Sequence, residues 1–254
     1  MCLISLAFKV HPRYPLILIA NRDEMYRRPS RQAQFWIEEG HPDILAGKDL
    51  EAGGTWLGTH RNGKWAALTN YRNFENTKDH APSRGELVLD FLKQETSPKE
   101  YLEDIKKNGG EYNGFNLLLG TEKEIFHYSN ISDAMTQLGP GVHGLSNALL
   151  NTPWPKSQRA NRGLKAVLKE EIVPTDSLFE ILKDLTPAEE GQLPNTGLPL
   201  AMEKAVSSVF IQSENYGTRC STLFLVKQDG EKEFYERTFD QLPAGSSPDV
   251  HYSF

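Results

Sequence analysis

Leu16-Ile17-Leu18-Ile19-Ala20, followed at once by Asn21-Arg22-Asp23-Glu24, is the stretch that sets the fold class. A short, unbroken Leu/Ile run bounded by turn formers reads as a strand, and here it ends in four polar residues. The turn formers before it are His11-Pro12-Arg13-Tyr14-Pro15. Residues 2–10 ahead of that turn have a similar apolar composition, so the chain is expected to open as two strands. A second hairpin is read from Gly54-Thr55-Trp56-Leu57-Gly58-Thr59 and Lys64-Trp65-Ala66-Ala67-Leu68-Thr69. Its Asn62-Gly63 dipeptide suits the positive φ angles of a type I′ turn.

Helices follow. Ser83 with Glu86, ahead of Leu87, Val88, Phe91 and Leu92, has the pattern of a capping box. Ser97 with Glu100 repeats it, with Pro98 at the first helical position and Gly109-Gly110 past the end. Strands are expected at 114–120 and 124–129, turning at Glu122-Lys123, and again at 142–147. Pro155 opens a helix with Ala160, Leu164, Val167 and Leu168 on one face, and another runs from about Thr175 to Leu185. Residues 186–200 carry three prolines and read as loop with at most a short helix. Strands near 206–212, 220–227 and 231–238 close the chain, the last two turning at Asp229-Gly230. Strands, helices, strands, helices, strands is neither alternating βαβ nor all-β. The expectation is an α+β chain of two antiparallel sheets with helices packed outside them, in one domain spanning residues 1–254.

Composition narrows the function. The chain has 254 residues, 38% of them hydrophobic, enough for a substantial core. Net charge is −6, from 28 basic and 34 acidic residues without long like-charge blocks. Nucleic acid and anionic membrane select for a basic face, so neither is expected as a partner. The one basic cluster is Tyr26-Arg27-Arg28-Pro29-Ser30-Arg31, which reads as a solvated loop or as an anionic-ligand contact. No apolar run approaches the roughly 18 residues of a membrane span, and no targeting signal is recognised, so a cytoplasmic location is expected. Two cysteines are too few for a disulfide framework. Seven histidines show no zinc-ligand spacing, and Gly53-Gly54-Thr55-Trp56-Leu57-Gly58 lacks the Gly-Lys-Ser/Thr of a P-loop. No metal or cofactor is expected.

One residue stands out chemically. Removal of the initiator methionine would leave Cys2 with a thiol and an α-amine, a nucleophile with its own base. Such an amine, with a pKa of roughly 8, can accept the thiol proton near neutrality. A buried strand cysteine without reactivity has the same sequence. Asp23 and Glu24 beside Arg22 could hold an α-ammonium and lower a thiol pKa, and a polar hairpin exit would look alike. Asn70 and Asn147 are placed as amide donors to an oxyanion, or as turn formers. Arg219 carries the same two readings.

Together these motifs resemble one family. Met1-Cys2, Ala20-Asn21-Arg22-Asp23-Glu24, Arg28-Pro29-Ser30, Gly53-Gly54-Thr55-Trp56-Leu57-Gly58 and Ala66-Ala67-Leu68-Thr69-Asn70-Tyr71 occur in order. Arg84-Gly85-Glu86-Leu87, Tyr112-Asn113-Gly114-Phe115-Asn116, Gly144-Leu145-Ser146-Asn147, Thr152-Pro153-Trp154 and Tyr216-Gly217-Thr218-Arg219 continue the series. The chain resembles the NRDE family, transport and Golgi organisation protein 2-like proteins. That family is similar to N-terminal-nucleophile (Ntn) hydrolases of the choloylglycine hydrolase and penicillin V acylase type. The resemblance implies a four-layer αββα sandwich, Cys2 as nucleophile, and Arg22 assisting the thiolate. It gives Asp23 or Glu24 the α-amine, Asn70 and Asn147 the oxyanion and amide, and Arg219 the close of the set. The acylase pattern is Arg-x-x-Asp, whereas this chain reads Asn21-Arg22-Asp23-Glu24, so either acid can take the role.

Two functions from different classes follow. The first is hydrolysis of a linear amide, or another acyl transfer, through Cys2. The second is a non-catalytic carrier or chaperone for a hydrophobic anion such as haem or an acyl-CoA, suggested by the family's links to haem and acyl-lipid handling and by Arg27, Arg28 and Arg31.

Overall fold

The computed structural model describes residues 3–72, 77–239 and 248–254. They form two compact units. The first joins the chain's start, through Arg27, to residues 139–254, and the second is residues 28–138. Each unit has one antiparallel sheet and its own helices.

In the first unit the strands are β1 (Leu3–Phe8), β2 (Leu16–Met25), β10 (Gly141–Leu145), β11 (Tyr216–Val226), β12 (Lys232–Thr238) and β13 (Asp249–Ser253). They lie in the order β10-β1-β2-β11-β12-β13. Strand alternation divides the side chains between two faces. Leu3, Ala7, Ile17, Ile19, Leu223 and Leu225 pack against Ala160 and Leu164 of α3 (Pro155–Val167) and Leu178, Phe179 and Leu182 of α4 (Thr175–Leu182). Ile4, Leu6, Leu18, Phe224 and Phe234, on the opposite face, are also buried. Burial on both faces is why β1 and β2 read as continuous apolar runs rather than alternating ones.

The second unit is a meander of seven strands in the order β3-β4-β5-β6-β7-β8-β9. These are Ser30–Trp36, His41–Asp49, Leu57–His60, Trp65–Asn70, Phe115–Gly120, Ile125–Ser129 and Ala134–Gln137. Helices α1 (Arg84–Lys93) and α2 (Pro98–Asn108) cover one face, with Leu87, Val88, Phe91, Leu92 and Leu102 packed on Ile44, Leu68, Leu117 and Phe126. Gly54 of the Gly53-Gly54 motif serves this contact. Thr55 N donates to Gly85 O at 3.2 Å, and a Cβ on Gly54 would lie 2.5 Å from the Gly85 carbonyl carbon.

Several local expectations need correction. The 57–70 hairpin is present, but its turn is not type I′. His60 N donates to Lys64 O, leaving the three-residue loop Arg61–Gly63, and within it only Gly63 has a positive φ, +96°. That is the pattern of a left-handed glycine closing a three-residue hairpin. Ser97 forms its reciprocal capping box with Glu100, whereas the Ser83 side chain caps nothing and only its carbonyl accepts from Glu86 N. Residues 206–212 hold only a single bridge, Gln212 to Gly217, because Val209 and Ile211 spend their backbone groups on side chains of β2 and β11. The strand expected at 220–227 begins four residues earlier, at Tyr216. Residues 186–200 hold a 3₁₀ turn at Glu190–Gln192, and a helix α5 spans Leu200–Ala205. Strands β3, β4, β9 and β13 carried no signal that the sequence reading used.

Two buried polar devices hold the second unit. Lys64 reaches from the hairpin to the end of α1, its Nζ donating to Phe91 O (2.9 Å) and Gln94 O (2.6 Å). A cation there satisfies helix-terminal carbonyls and opposes the dipole. Replacing Lys64 by Met should therefore cost about 1–2 kcal/mol in denaturant unfolding. On the sheet face away from α1 and α2, Asn116 of β7 reaches both neighbouring strands: Nδ2 donates to Thr69 Oγ1 (3.1 Å), and Oδ1 lies 3.2 Å from His127 Nε2. Burial pushes the His127 imidazole down to about 4, so it is neutral in the fold at neutral pH. The unfolded chain binds that proton near the ordinary value of about 6.5, so stability from this group is complete above it and is lost as pH falls toward 4. Up to about 3 kcal/mol should disappear over that window. His127→Gln should show a shallower decline in melting temperature across the same range.

Candidate functional site

The polar end of β2 lies opposite the first half of β11. Their register runs Ser221–Asn21, Cys220–Arg22 and Thr218–Asp23, with a bulge that leaves Arg219 as the extra residue. The same end of the sheet holds the start of β1, since Leu3 pairs with Asn21, and the end of β10, since Leu145 pairs with Ile4. Four of the expected site residues are thereby gathered at one end of the first unit: Arg22, Asp23, Asn147 and Arg219.

Each is buried for a stated reason. Arg22 and Asp23 are only 3% and 2% exposed. The Thr218 hydroxyl donates to Asp23 Oδ1 at 2.6 Å and accepts from Ile211 N at 2.9 Å. This two-way bond fixes the carboxylate in one orientation. Glu24 sits one residue further along, half-buried, where its Oε1 accepts from Met25 N. Of the two acids left open by the sequence, Asp23 is the one built into the sheet. Arg219 Nη1 donates to Met25 O at 2.7 Å, tying the bulge to the end of β2. Asn147, two residues past β10, is buried and accepts from Ser146 Oγ at 3.4 Å. Asn70 is the last residue of β6 in the second unit, opposite Phe115 and half-buried. Cys2 lies outside the described residues.

The sequence reading passed over three residues. Asn21 is fully buried and donates through Nδ2 to Leu182 O and Val209 O, both at 2.9 Å, while its Oδ1 accepts from Ser221 Oγ at 2.6 Å. Thr218 supports Asp23 as described. The signal available for Asn21 and Thr218 was an amide directly after an apolar strand, and a hydroxyl in the polar first half of a strand that ends in Leu223-Phe224-Leu225-Val226. Cys220 faces Arg22 directly, and burial first, then Glu236, pushes its thiol well above the ordinary range, against the pull of Arg22. Among the described residues no group of three or more His, Cys, Asp or Glu could hold a metal ion. No described helix is long and apolar enough to cross a membrane.

The fold, two antiparallel sheets each with its own helices, is that of the Ntn-hydrolase class. Two variants of conjugated bile acid hydrolase from Clostridium perfringens share it, with TM-scores of 0.52 and 0.53 at 10% identity. The alignments cover 100% and 99% of this chain and 92% of each of theirs. At that identity the likeness is one of fold. The chain belongs to the Transport and Golgi organisation 2 family, whose model matches residues 1–241. It is 40% identical to the human Transport and Golgi organization protein 2 homolog and 39% identical to the mouse one, over 94% of this chain and 93% of each relative. Identity with the Drosophila melanogaster Transport and Golgi organization protein 2 is 29%, over 99% and 97% of the two chains.

The role of Thr218 can be measured directly. Thr218→Val keeps the shape, removes the donor to Asp23 and leaves a buried carboxylate oxygen without it, so a loss of about 1–3 kcal/mol is expected in denaturant unfolding. A loss indistinguishable from zero would show that Asp23 finds another partner.

Proposed function

We propose that the chain is an N-terminal cysteine hydrolase acting on a linear amide or another acyl bond of a small molecule, with Cys2 as nucleophile. The observation that carries the reading is the β1–β2 register, in which Leu3 pairs with Asn21. Past that pair, β2 carries on with Arg22 and then Asp23, both buried. A buried guanidinium there favours a thiolate, and a buried carboxylate favours an ammonium. In the reading, the free α-amine takes the thiol proton and the sulfur attacks the carbonyl carbon. The oxyanion is met by the amide of Asn147. The leaving amine takes the proton from the α-ammonium. The acyl-cysteine is then hydrolysed by a water that the amine deprotonates.

The carrier reading has less behind it. Its basic cluster is neutralised locally: Arg28 binds Asp49 (2.7 Å) and Glu51 (3.0 Å), and Arg31 binds Glu39 (2.6 Å). These pairs leave Arg27 as the remaining cation of the three that suggested an anionic ligand.

Intact mass before and after iodoacetamide treatment reports whether Met1 is removed and position 2 is reactive. A panel of N-acyl amides, acyl thioesters and p-nitrophenyl esters then supplies the assay. Cys2→Ala should lower turnover by at least about 10³-fold with an unchanged melting temperature. Turnover that survives in this variant would sink the proposal.

A further inference from the structure

Helices α3 and α4 lie side by side in opposite directions, as two contacts fix. Arg159 Nε is 3.3 Å from Asp184 Oδ2, and a Cβ on Gly163 would lie 2.8 Å from Ile181 Cγ1. Their inner faces cover the sheet of the first unit through Ala160, Leu164, Leu178, Phe179 and Leu182. Their outer faces are sorted by charge. Helix α3 holds Lys156, Arg159, Arg162 and Lys165 and no acid, while α4 holds Asp176 and Glu180 and no base. Lys156 is buried and donates to Val206 O, and Arg159 is taken by Asp184. Arg162 and Lys165, one turn apart and exposed, have no ion pair among the described residues. Asp176 and Glu180 are likewise exposed and one turn apart. Asp176 has no ion pair among the described residues, and Glu180 meets Lys183 of its own helix end at 2.9 Å. The other cation these two acids sense is Arg237 of β12, itself bonded to Asp249. A groove of about 460 Å³ runs between the helices, with Gly163 and Ile181 among its lining and Asp176, Glu180 and Asp184 along one wall. An apolar side chain is exposed at either end of the pair. Ile172 lies in the α3–α4 connection and Leu185 just past α4, at 64% and 56% exposure.

Opposite charges on neighbouring helices make this layer complementary to itself. A two-fold axis lying along the groove, parallel to the helices, sets α3 of one copy over α4 of the other. Heights along the helices are unchanged by that rotation, so Arg162 comes level with Glu180, and Lys165 within a turn of Asp176. Ile172 and Leu185 then meet their own counterparts at the two ends. An axis across the helices would instead set α3 on α3 and α4 on α4, like charge on like. We propose that the outer face of α3 and α4 is a docking surface for a second copy of this chain, in the first of these two arrangements. Two helices about 20 Å long and together about 20 Å wide cover roughly 400 Å² per copy, half of the roughly 800 Å² of a standard interface. The dimer is therefore weak, and its exposed ion pairs make it sensitive to salt. Nothing in this surface depends on the hydrolase reading.

Sedimentation velocity of the native chain over a range of concentrations is the test, and it needs no variant to begin. A concentration-dependent dimer is expected at low ionic strength, and it should weaken as salt is added. Arg162→Glu and Glu180→Arg should each raise the dimer Kd by at least about tenfold, because each sets two like-charge pairs in the interface. The double variant R162E/E180R rebuilds both pairs with the charges exchanged and should restore the dimer. Both positions are exposed, so the melting temperature of each variant should stay close to that of the native chain. A chain that is monomeric at every concentration overturns the proposal. So does a dimer that R162E leaves unchanged, or a pair of single variants that the double variant does not rescue.

Discussion

The pairing of β2 with β11 is the constraint on which the first unit depends. These are the two central strands of its sheet, and they run together from Leu16–Val226 at one end to Met25–Tyr216 at the other. Over most of that length the pairing buries Leu, Ile and Phe on both faces, where a one-residue slip would exchange the two sets of side chains. At the far end the sequence turns polar while burial continues. Asn21, Arg22 and Asp23 are as deeply placed as the leucines before them. Desolvated polar groups are tolerated only when partners meet them, so every element nearby is drawn into satisfying this end. The Leu182 and Val209 carbonyls answer Asn21, and the Thr218 hydroxyl, itself met by the Ile211 amide, answers Asp23. The irregular course of residues 206–215 follows from that demand. The Val209 carbonyl and the Ile211 amide bond to these side chains, while the Ile211 carbonyl and the Ser213 amide meet Thr218 and Tyr216 of β11.

The second unit solves a similar problem with fewer groups. Apart from the β6–β7 connection, which carries α1 and α2, its meander joins neighbours through short links, and its polar insertions are isolated. Lys64 places its charge on the last carbonyls of α1, where the helix needs a donor. Thr69, Asn116 and His127 sit side by side on β6, β7 and β8 and satisfy one another across the ladder. Registers of these three strands are tied by chemistry as well as by burial.

Much of the fold was legible because its main strands and helices carry simple signals. The apolar runs of β1, β2, β7 and β8, the Asn-Gly hairpin and the Ser97 capping box all speak locally. The strands that were missed have the opposite character. Ser30–Trp36 contains Ser, Arg and two Gln, and His41–Asp49 carries a proline at its second position. Ala134–Gln137 and Asp249–Ser253 are short edge strands that turn only one or two half-buried apolar residues inward, Met135 in the one and Val250 and Tyr252 in the other. Each becomes a strand only because a neighbour offers a ladder, which is tertiary information. The candidate site was legible in a similar, partial way. Arg22, Asp23, Asn147 and Arg219 could be named because they stand at strand ends in recognisable motifs. Asn21 could not be separated from them by sequence, since only the direction of its side chain shows that it braces the helices. Glu236 had no signal at all, because a glutamate between Tyr235 and Arg237 looks like an exposed strand position.

The bulge at Arg219 explains how one strand can serve both faces of the sheet at this end. Without it, alternation along β11 would put Thr218 on the face of Cys220 and Thr222, opposite to Ser221. The extra residue reverses the parity of everything before it. Ser221 and Thr218 therefore both reach the helix side, where they meet Asn21 and Asp23. Cys220 keeps the other face, where it meets Arg22 alone among the β2 polar residues. One inserted residue thus sorts six side chains of β2 and β11 into a bracing set, Asn21, Asp23, Thr218 and Ser221, and a set on the other face, Arg22 and Cys220. The Arg219 guanidinium closes the distortion by bonding the Met25 carbonyl, so the side chain of the inserted residue helps to hold the insertion in place. A reading of this end that assigned roles by distance along the sequence would mix the two sets. Assigning them by face keeps the acid that is locked to Thr218 distinct from the arginine that confronts sulfur, and it is that separation which gives the two groups different chemistry.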